Sequence, residues 1–420
     1  MSRALLGALL LAACKGSAVD ADSPYADIVA DAIPKLEKVS GLKFKTPPKL
    51  ERRTKDEVRA FLMKQLTDPK ARALLDGQAS LYRGLGLIPD SLNLPDLLQR
   101  LLEEQIVGYY DPKTKVLYVV DGTPKAFLTQ TITHELVHAL QDQYVKLDSI
   151  QGNVEDADRQ SAAQSVLEGQ AVFVQLAADQ NAGPMLRMPG GWDRIREVIK
   201  EGQTGMPVFN SAPRVIREGL LFPYLGGADF TRRFYDARKP EELLTDLPVS
   251  TRQILNQDAY FTKRDSTQRI KLPAPNGGTI TYENTLGEFE TRLAILQHLK
   301  DELIARRGAS GVDGDRVAVI KTPSGEAVVW ASVWDNAIEA AEFYDIWSQA
   351  IAKRYKVGAW DGPAGSTEKR FNIPGEGGRA PRIALLKLVN VSGRPVVVYV
   401  DGPAAAGAAL INTAAITVSN

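Results

Sequence analysis

Histidine is scarce in this chain, with three among 420 residues. Cysteine is scarcer: there is one, so no disulfide can form within the chain. Basic and acidic side chains balance at 51 each, with no long run of either sign. Nucleic-acid binding therefore has no electrostatic support, and neither has a polybasic membrane surface. The body of the chain has no stretch of about 18 apolar residues, so no membrane-spanning helix is expected there. No internal repeat is present, and low complexity is confined to the alanine-rich end. What remains is an ordinary globular composition, 44% hydrophobic and 24% charged, in a chain long enough for two or more domains.

The lone cysteine sits near the start. "MSRALLGALLLAAC" joins Arg3 to an apolar run from Ala4 to Ala13 and then to Cys14, the layout of a secretion signal. Leu11-Ala12-Ala13-Cys14 looks like a bacterial lipobox, in which the cysteine is lipidated and becomes the mature N-terminus. Residues 1–14 are read as a lipoprotein signal peptide, and the mature protein is expected outside the cytoplasm, anchored to a membrane at Cys14. Lys15 is not the aspartate that retains such proteins at an inner membrane. In a cell with two membranes the expected place is the outer one, facing the periplasm.

Hydrophobic periodicity places helices at Ser23–Val39, Lys55–Gln65, Lys70–Leu85 and about Leu94–Glu104. "IVGYY", "DPKT" and "KVLYVV" then read as a hairpin with Asp111-Pro112 in its turn. Thr123 and Pro124 are a good N-cap and first residue for a helix running to about Lys146. A second long helix follows at Arg159–Gln180, then others at about Trp192–Glu201, Arg214–Ala237 and Glu283–Arg307. From about Gly308 the pattern changes to strands around one amphipathic helix and a small terminal helix, a separate α+β domain over 308–420. That part has no histidine or cysteine, and Trp330, Trp334, Phe343, Tyr344 and Trp347 have the spacing of a core, so it is expected not to be catalytic.

Two of the three histidines stand four apart in "TQTITHELVHALQDQY". Residues i and i+4 share one helix face, so His134 and His138 can offer two imidazole nitrogens to one ion. Zinc accepts such nitrogens and, in catalytic sites, favours three protein ligands plus water. Glu135 is offset around the helix, able to reach that water as general base without ligating the metal. Chance would produce this pattern in a chain so poor in histidine on the order of once in a thousand such sequences. The neighbours Ile132, Leu136, Val137, Ala139 and Leu140 are uncharged and suit burial. A third ligand must come from elsewhere. His298, in "LAILQHLKDEL", reads as structural or as a surface residue of an amphipathic helix. Glu168, in "SVLEGQAVF" on the next long helix, lies among apolar residues, and a buried carboxylate needs a partner such as a metal.

With these residues in place the chain resembles bacterial gluzincin-type zinc metallopeptidases, His-Glu-x-x-His on one helix and a glutamate ligand on the next. "HELVHALQDQY" followed by "LEGQA" is similar to the peptidase MA-like branch of that group. So are "GYYDP" before the metal helix, "STRQILNQDAY" (Ser250 to Tyr260) and "GDRVAVI…WASVWDNAIEAAEF", which together span most of Gln105 to Phe343. After "QIL", where a His-Pro is expected in such proteins, this chain has Asn256-Gln257, and no role for that histidine carries over. The resemblance implies a mainly helical zincin-like domain over 15–307 with a small edge-strand sheet. It also implies that the strand Val116–Val120 is an edge that hydrogen-bonds the substrate backbone. Asp142, four residues after His138 on the same face, is a candidate to hold a ligand histidine by its second nitrogen. Tyr260, and beside it Tyr224, are candidates to donate to the developing oxyanion.

The expected activity is zinc-dependent hydrolysis of peptides or proteins, with Glu135 as base and with His134, His138 and Glu168 holding Zn2+. Two other readings are a non-catalytic envelope lipoprotein that uses the zinc helix as a structural staple, and a binding lipoprotein whose C-terminal domain does the work. A structural site has no need of Glu135.

Overall fold

The computed structural model describes residues 25–151, 155–376, 378–407 and 409–420. Cys14 and the rest of the expected signal peptide lie outside the described residues. The architecture is mixed α+β. No helix among the described residues is long and apolar enough to cross a membrane.

The first half is built of helices around a three-stranded sheet. The strands are Lys49–Arg53, Gly108–Asp111 and Val116–Val120. Val116–Val120 lies in the middle, pairing parallel with Lys49–Arg53 and antiparallel with Gly108–Asp111. The expectation that Val116–Val120 is the edge is thereby corrected. Its five residues are all buried, as a fully apolar strand demands, and the free edges belong to its two neighbours.

Three long helices carry the residues of interest: Lys125–Gln141, Ala157–Ala178 and Arg214–Ala237. The first stops at Gln141 rather than Lys146, and residues 142–144 form a turn. The second starts where the Asp156 side chain accepts the Arg159 N–H at 3.1 Å, a side-chain N-cap. The first buries Ile132, Leu136, Val137, Ala139 and Leu140. The second and third meet at glycines. A Cβ on Gly227 would stand 1.7 Å from the Ser165 carbonyl oxygen, and one on Gly169 would stand 2.0 Å from the Gly227 carbonyl carbon. Backbone touches backbone at this crossing, which only glycine permits.

The second half is a six-stranded antiparallel sheet, in spatial order Thr279–Asn284, Val312–Thr322, Gly325–Trp334, Arg394–Pro403, Arg382–Val391 and Glu368–Ile373. Alternate residues face opposite ways. Val317 and Val319 join the core beneath the helix Ala337–Tyr355, whereas Ala318 and Ile320 face a second layer with Leu410, Ile411 and Ile416. Trp330, Trp334, Phe343, Tyr344 and Trp347 are all buried in the first of these cores. That core continues into Ala79, Leu81, Tyr82 and Leu85 on the helix Pro69–Gly84 and its end. The sheet therefore recruits a strand from well ahead of Gly308 and shares its apolar interior with the helical half.

The single helix expected at Glu283–Arg307 is divided. Residues to Asn284 are strand, and a helix runs from Gly287 to Leu299. Lys300 then turns left-handed at φ +59, and Asp301 caps a new helix by accepting from Leu303 and Ile304 N–H at 2.9 and 3.0 Å. At the other end, short 3-10 turns at Ala404–Ala406 and Thr413–Ala415 replace the expected small helix, and Thr417–Ser419 pairs with Arg269–Lys271.

Candidate metal centre

His134 and His138 present their Nε2 atoms 3.2 Å apart. Each lies 3.3 Å from Oε2 of Glu168, which the Ala157–Ala178 helix brings alongside. The three atoms form a nearly equilateral triangle. Three ligand atoms bound at 2.0–2.1 Å to a tetrahedral zinc ion stand about 3.3–3.4 Å apart, so the donor set and its spacing fit zinc. Among the described residues one other cluster has metal-ligand chemistry, formed by three aspartates elsewhere.

Two of the three, His138 and Glu168, are held from behind. His138 Nδ1 lies 2.9 Å from Oε1 of Gln141. A carbonyl oxygen only accepts, so Nδ1 donates and Nε2 is the nitrogen turned toward His134 and Glu168. Gln141 is fully buried, and its Nε2 donates to the Leu167 carbonyl at 2.9 Å and to Oε1 of Gln170 at 3.0 Å. Gln170 in turn donates to the Tyr235 hydroxyl at 2.9 Å. Gln164 donates to Oε1 of Glu168 at 2.7 Å, leaving Oε2 turned toward the two histidines.

Electrostatics follow the same arrangement. Burial alone would raise the Glu168 carboxyl, but His138 and His134 outweigh it and hold the group below the ordinary carboxylate range. Burial alone would lower His138; the Glu168 carboxylate outweighs it, and His138 is held up at about 9. Burial raises Glu135, against the opposing pull of both histidines. Oε2 of Glu135 accepts the Tyr110 backbone N–H at 2.8 Å, while Oε1 has no hydrogen-bond partner among the described residues. Tyr110 is in the edge strand Gly108–Asp111, so the free edge beside Glu135 is that strand, not Val116–Val120.

Two sequence expectations do not meet the site. The Asp142 backbone N–H donates to the His138 carbonyl at 3.0 Å, but its carboxylate has no hydrogen bond to the His138 imidazole. Its Oδ2 accepts from the Tyr110 hydroxyl at 2.8 Å and from Lys115 Nζ at 2.5 Å, tying the hairpin to the end of the metal helix. Gln141, one residue earlier, holds the imidazole instead. Tyr260 is 1% exposed among Phe230, Phe234 and Phe261, and its hydroxyl donates to Asp246 at 2.5 and 2.9 Å. Its phenol finds a local acceptor away from the histidines. Tyr224 is the tyrosine at the site: its ring lies over His134 at a centroid distance of 6.0 Å. The residue is 37% exposed, and the carboxylates of Glu168 and then Glu135 beside it push its hydroxyl far up, so it stays protonated. Pro223 just before it removes one N–H from the helix ladder.

His298 is structural. Its Nε2 lies 2.9 Å from the Leu85 carbonyl, and burial lowers it to about 4, so it is neutral and donates that bond.

The match with known families falls on the other half of the chain. The profile of a family described as "Domain of unknown function (DUF8575)" covers residues 278–411, the six-stranded sheet and its helix, and none of the metal-site residues. No curated protein and no solved structure matches the chain.

Proposed function

We propose that this chain is a zinc-dependent peptidase of the gluzincin type, with a zincin-like helical half, anchored by lipid at Cys14 to a bacterial membrane outside the cytoplasm, on the periplasmic face of the outer membrane in a cell with two membranes. The observation that carries the reading is the convergence of His134 Nε2, His138 Nε2 and Glu168 Oε2 within 3.2–3.3 Å, with the Glu135 carboxylate beside them. These three residues would hold Zn2+, which when bound supplies a Lewis acid for a carbonyl and lowers the pKa of water. Glu135 would take a proton from water at its unpartnered Oε1 and pass it to the leaving amine, while Tyr110 N–H keeps Oε2 in place. A carboxyl raised by burial is suited to giving the proton back. Tyr224, protonated and next to His134, donates to the carbonyl oxygen as charge builds on it. The outer edge of Gly108–Asp111 offers main-chain groups to an extended peptide.

Digestion of a mixed peptide library by the purified protein tests the reading. Cleavage is expected with zinc present and none after chelation. A zinc-loaded protein that cleaves nothing in the library contradicts the activity, and a Glu168→Ala protein that binds zinc as tightly as wild type contradicts the ligand set.

Gln141→Leu removes the acceptor behind His138 and leaves Nδ1–H buried without a partner. Zinc affinity is expected to fall roughly 10- to 100-fold, as for other groups that orient a ligand histidine. Competition with a chromogenic chelator measures it.

A further inference from the structure

A second cluster of ligand-type side chains lies where the sheet meets the segment after the helix Asp258–Phe261. Asp265, Asp313 and Asp335 each place a carboxylate oxygen within 4.8 Å of the other two. They come from three separate parts of the chain: a loop, the strand Val312–Thr322, and the residue after the strand Gly325–Trp334.

Two arginines enter the cluster. Arg252 pairs with both oxygens of Asp335, Nη1 reaching Oδ1 at 2.8 Å, and Nη1 also lies 3.1 Å from Oδ2 of Asp265. Arg394 stands 3.5 Å from Oδ2 of Asp313. Two positive charges do not neutralise three carboxylates. The hydrogen bonding is incomplete as well. Asp313 is 7% exposed, yet its Oδ1 is buried with no partner among the described residues. Oδ2 of Asp265 is buried without a hydrogen bond too, since the nearby guanidinium is not aimed along it. Gln268 donates its backbone N–H to the Asp313 carbonyl at 2.7 Å, is 6% exposed, and leaves its side-chain Oε1 without a partner. Buried acceptors left unpaired are costly, and several in one place point to a missing positive group.

We propose that Asp265, Asp313 and Asp335 bind a calcium ion that fastens the C-terminal sheet to the end of the helical half. The donors are all oxygen, which selects a hard cation over zinc. Oxygens within 4.8 Å of one another fit around one ion with bonds of 2.3–2.6 Å. The remaining positions of the shell are left to water. With few protein ligands and two arginines nearby, the affinity falls in the weak range of about 10⁻⁴–10⁻³ M. The inference does not use the histidine site.

The test uses the full chain loaded with zinc and dialysed into calcium-free buffer. Calcium chloride is titrated in by calorimetry, thermal melting follows the same additions, and magnesium chloride is run in parallel. At about 10 mM calcium the folding equilibrium is expected to shift roughly 10- to 100-fold toward the folded form, with a weaker response to magnesium. Asp313→Asn should abolish the response with zinc content unchanged. Should that variant not fold, Asp265→Asn, at a more exposed position, serves in its place. No binding heat and no melting shift in the wild-type chain overturn the proposal. So does a response that persists in both variants, or equal responses to calcium and magnesium.

Discussion

The Glu135→Gln protein is expected to hold close to one zinc ion per chain and to lose peptide hydrolysis by roughly 10²–10⁴-fold in kcat/KM, the usual contribution of a positioned base. Glutamine matches glutamate in shape, and its carbonyl oxygen can still accept the Tyr110 N–H that Oε2 accepts at 2.8 Å. The ligand triangle of His134, His138 and Glu168 does not include residue 135, so metal content should not change. What disappears is an oxygen able to take a proton. Metal analysis and progress curves on one preparation check both halves, and a Glu135→Gln protein that cleaves at the wild-type rate refutes the mechanism.

The Gly227→Ala protein is expected to be less stable by about 3 kcal/mol, the upper end of the usual overpacking range. The added methyl group would stand 1.7 Å from the Ser165 carbonyl oxygen and 3.0 Å from the Gly169 Cα. Both are backbone atoms of a helix, and no side-chain rotation relieves them. The two helices must move apart, and they carry Glu168 and Tyr224. Zinc affinity should fall with stability. Gly219→Ala, earlier on the same helix, meets nothing within 4 Å and serves as control. It should be neutral or stabilising by up to about 1 kcal/mol, because alanine loses less freedom than glycine in a helix. Urea unfolding of both proteins separates the cases, and equal midpoints would contradict the close crossing.

How much of this was legible in the sequence depends on how local each signal is. The i, i+4 histidines and the apolar flanks of their helix are local, and the structure brings His134, His138 and Glu168 together as those residues suggest. Glu168 was legible because a carboxylate in an apolar run is out of place. Gln141 and Gln164 were missed for the opposite reason. A glutamine in a helix is unremarkable: only the packing of a second helix shows that Gln141 is buried, and Gln164 gains meaning only once Glu168, one turn on, is seen beside the histidines. Tyr260 and Tyr224 could not be ranked by sequence, since each sits beside apolar residues; the Asp246 acceptor that claims Tyr260 comes from another turn of chain. Asp142 lies on the face its spacing predicts, but Tyr110 and Lys115 of the hairpin reach it. The edge strand was misplaced because the pairing of Lys49–Arg53 with Val116–Val120 joins segments far apart in sequence. The same long-range pairing hid the strand Thr279–Asn284, whose alternation reads as the start of the following helix.

The amide behind His138 also sets the electroneutrality of the site. With the proposed zinc ion bound, its double charge, Glu168 and an ionised Glu135 would sum to zero, and Gln141 would add nothing to that sum. A carboxylate in its place would leave a buried negative remainder. Among the described residues, no lysine or arginine hydrogen-bonds His134, Glu135, His138 or Glu168. On that proposal an anionic reacting centre such as a phosphoryl group would find no cation beyond the bound ion, whereas an uncharged amide carbonyl would meet a site already in balance.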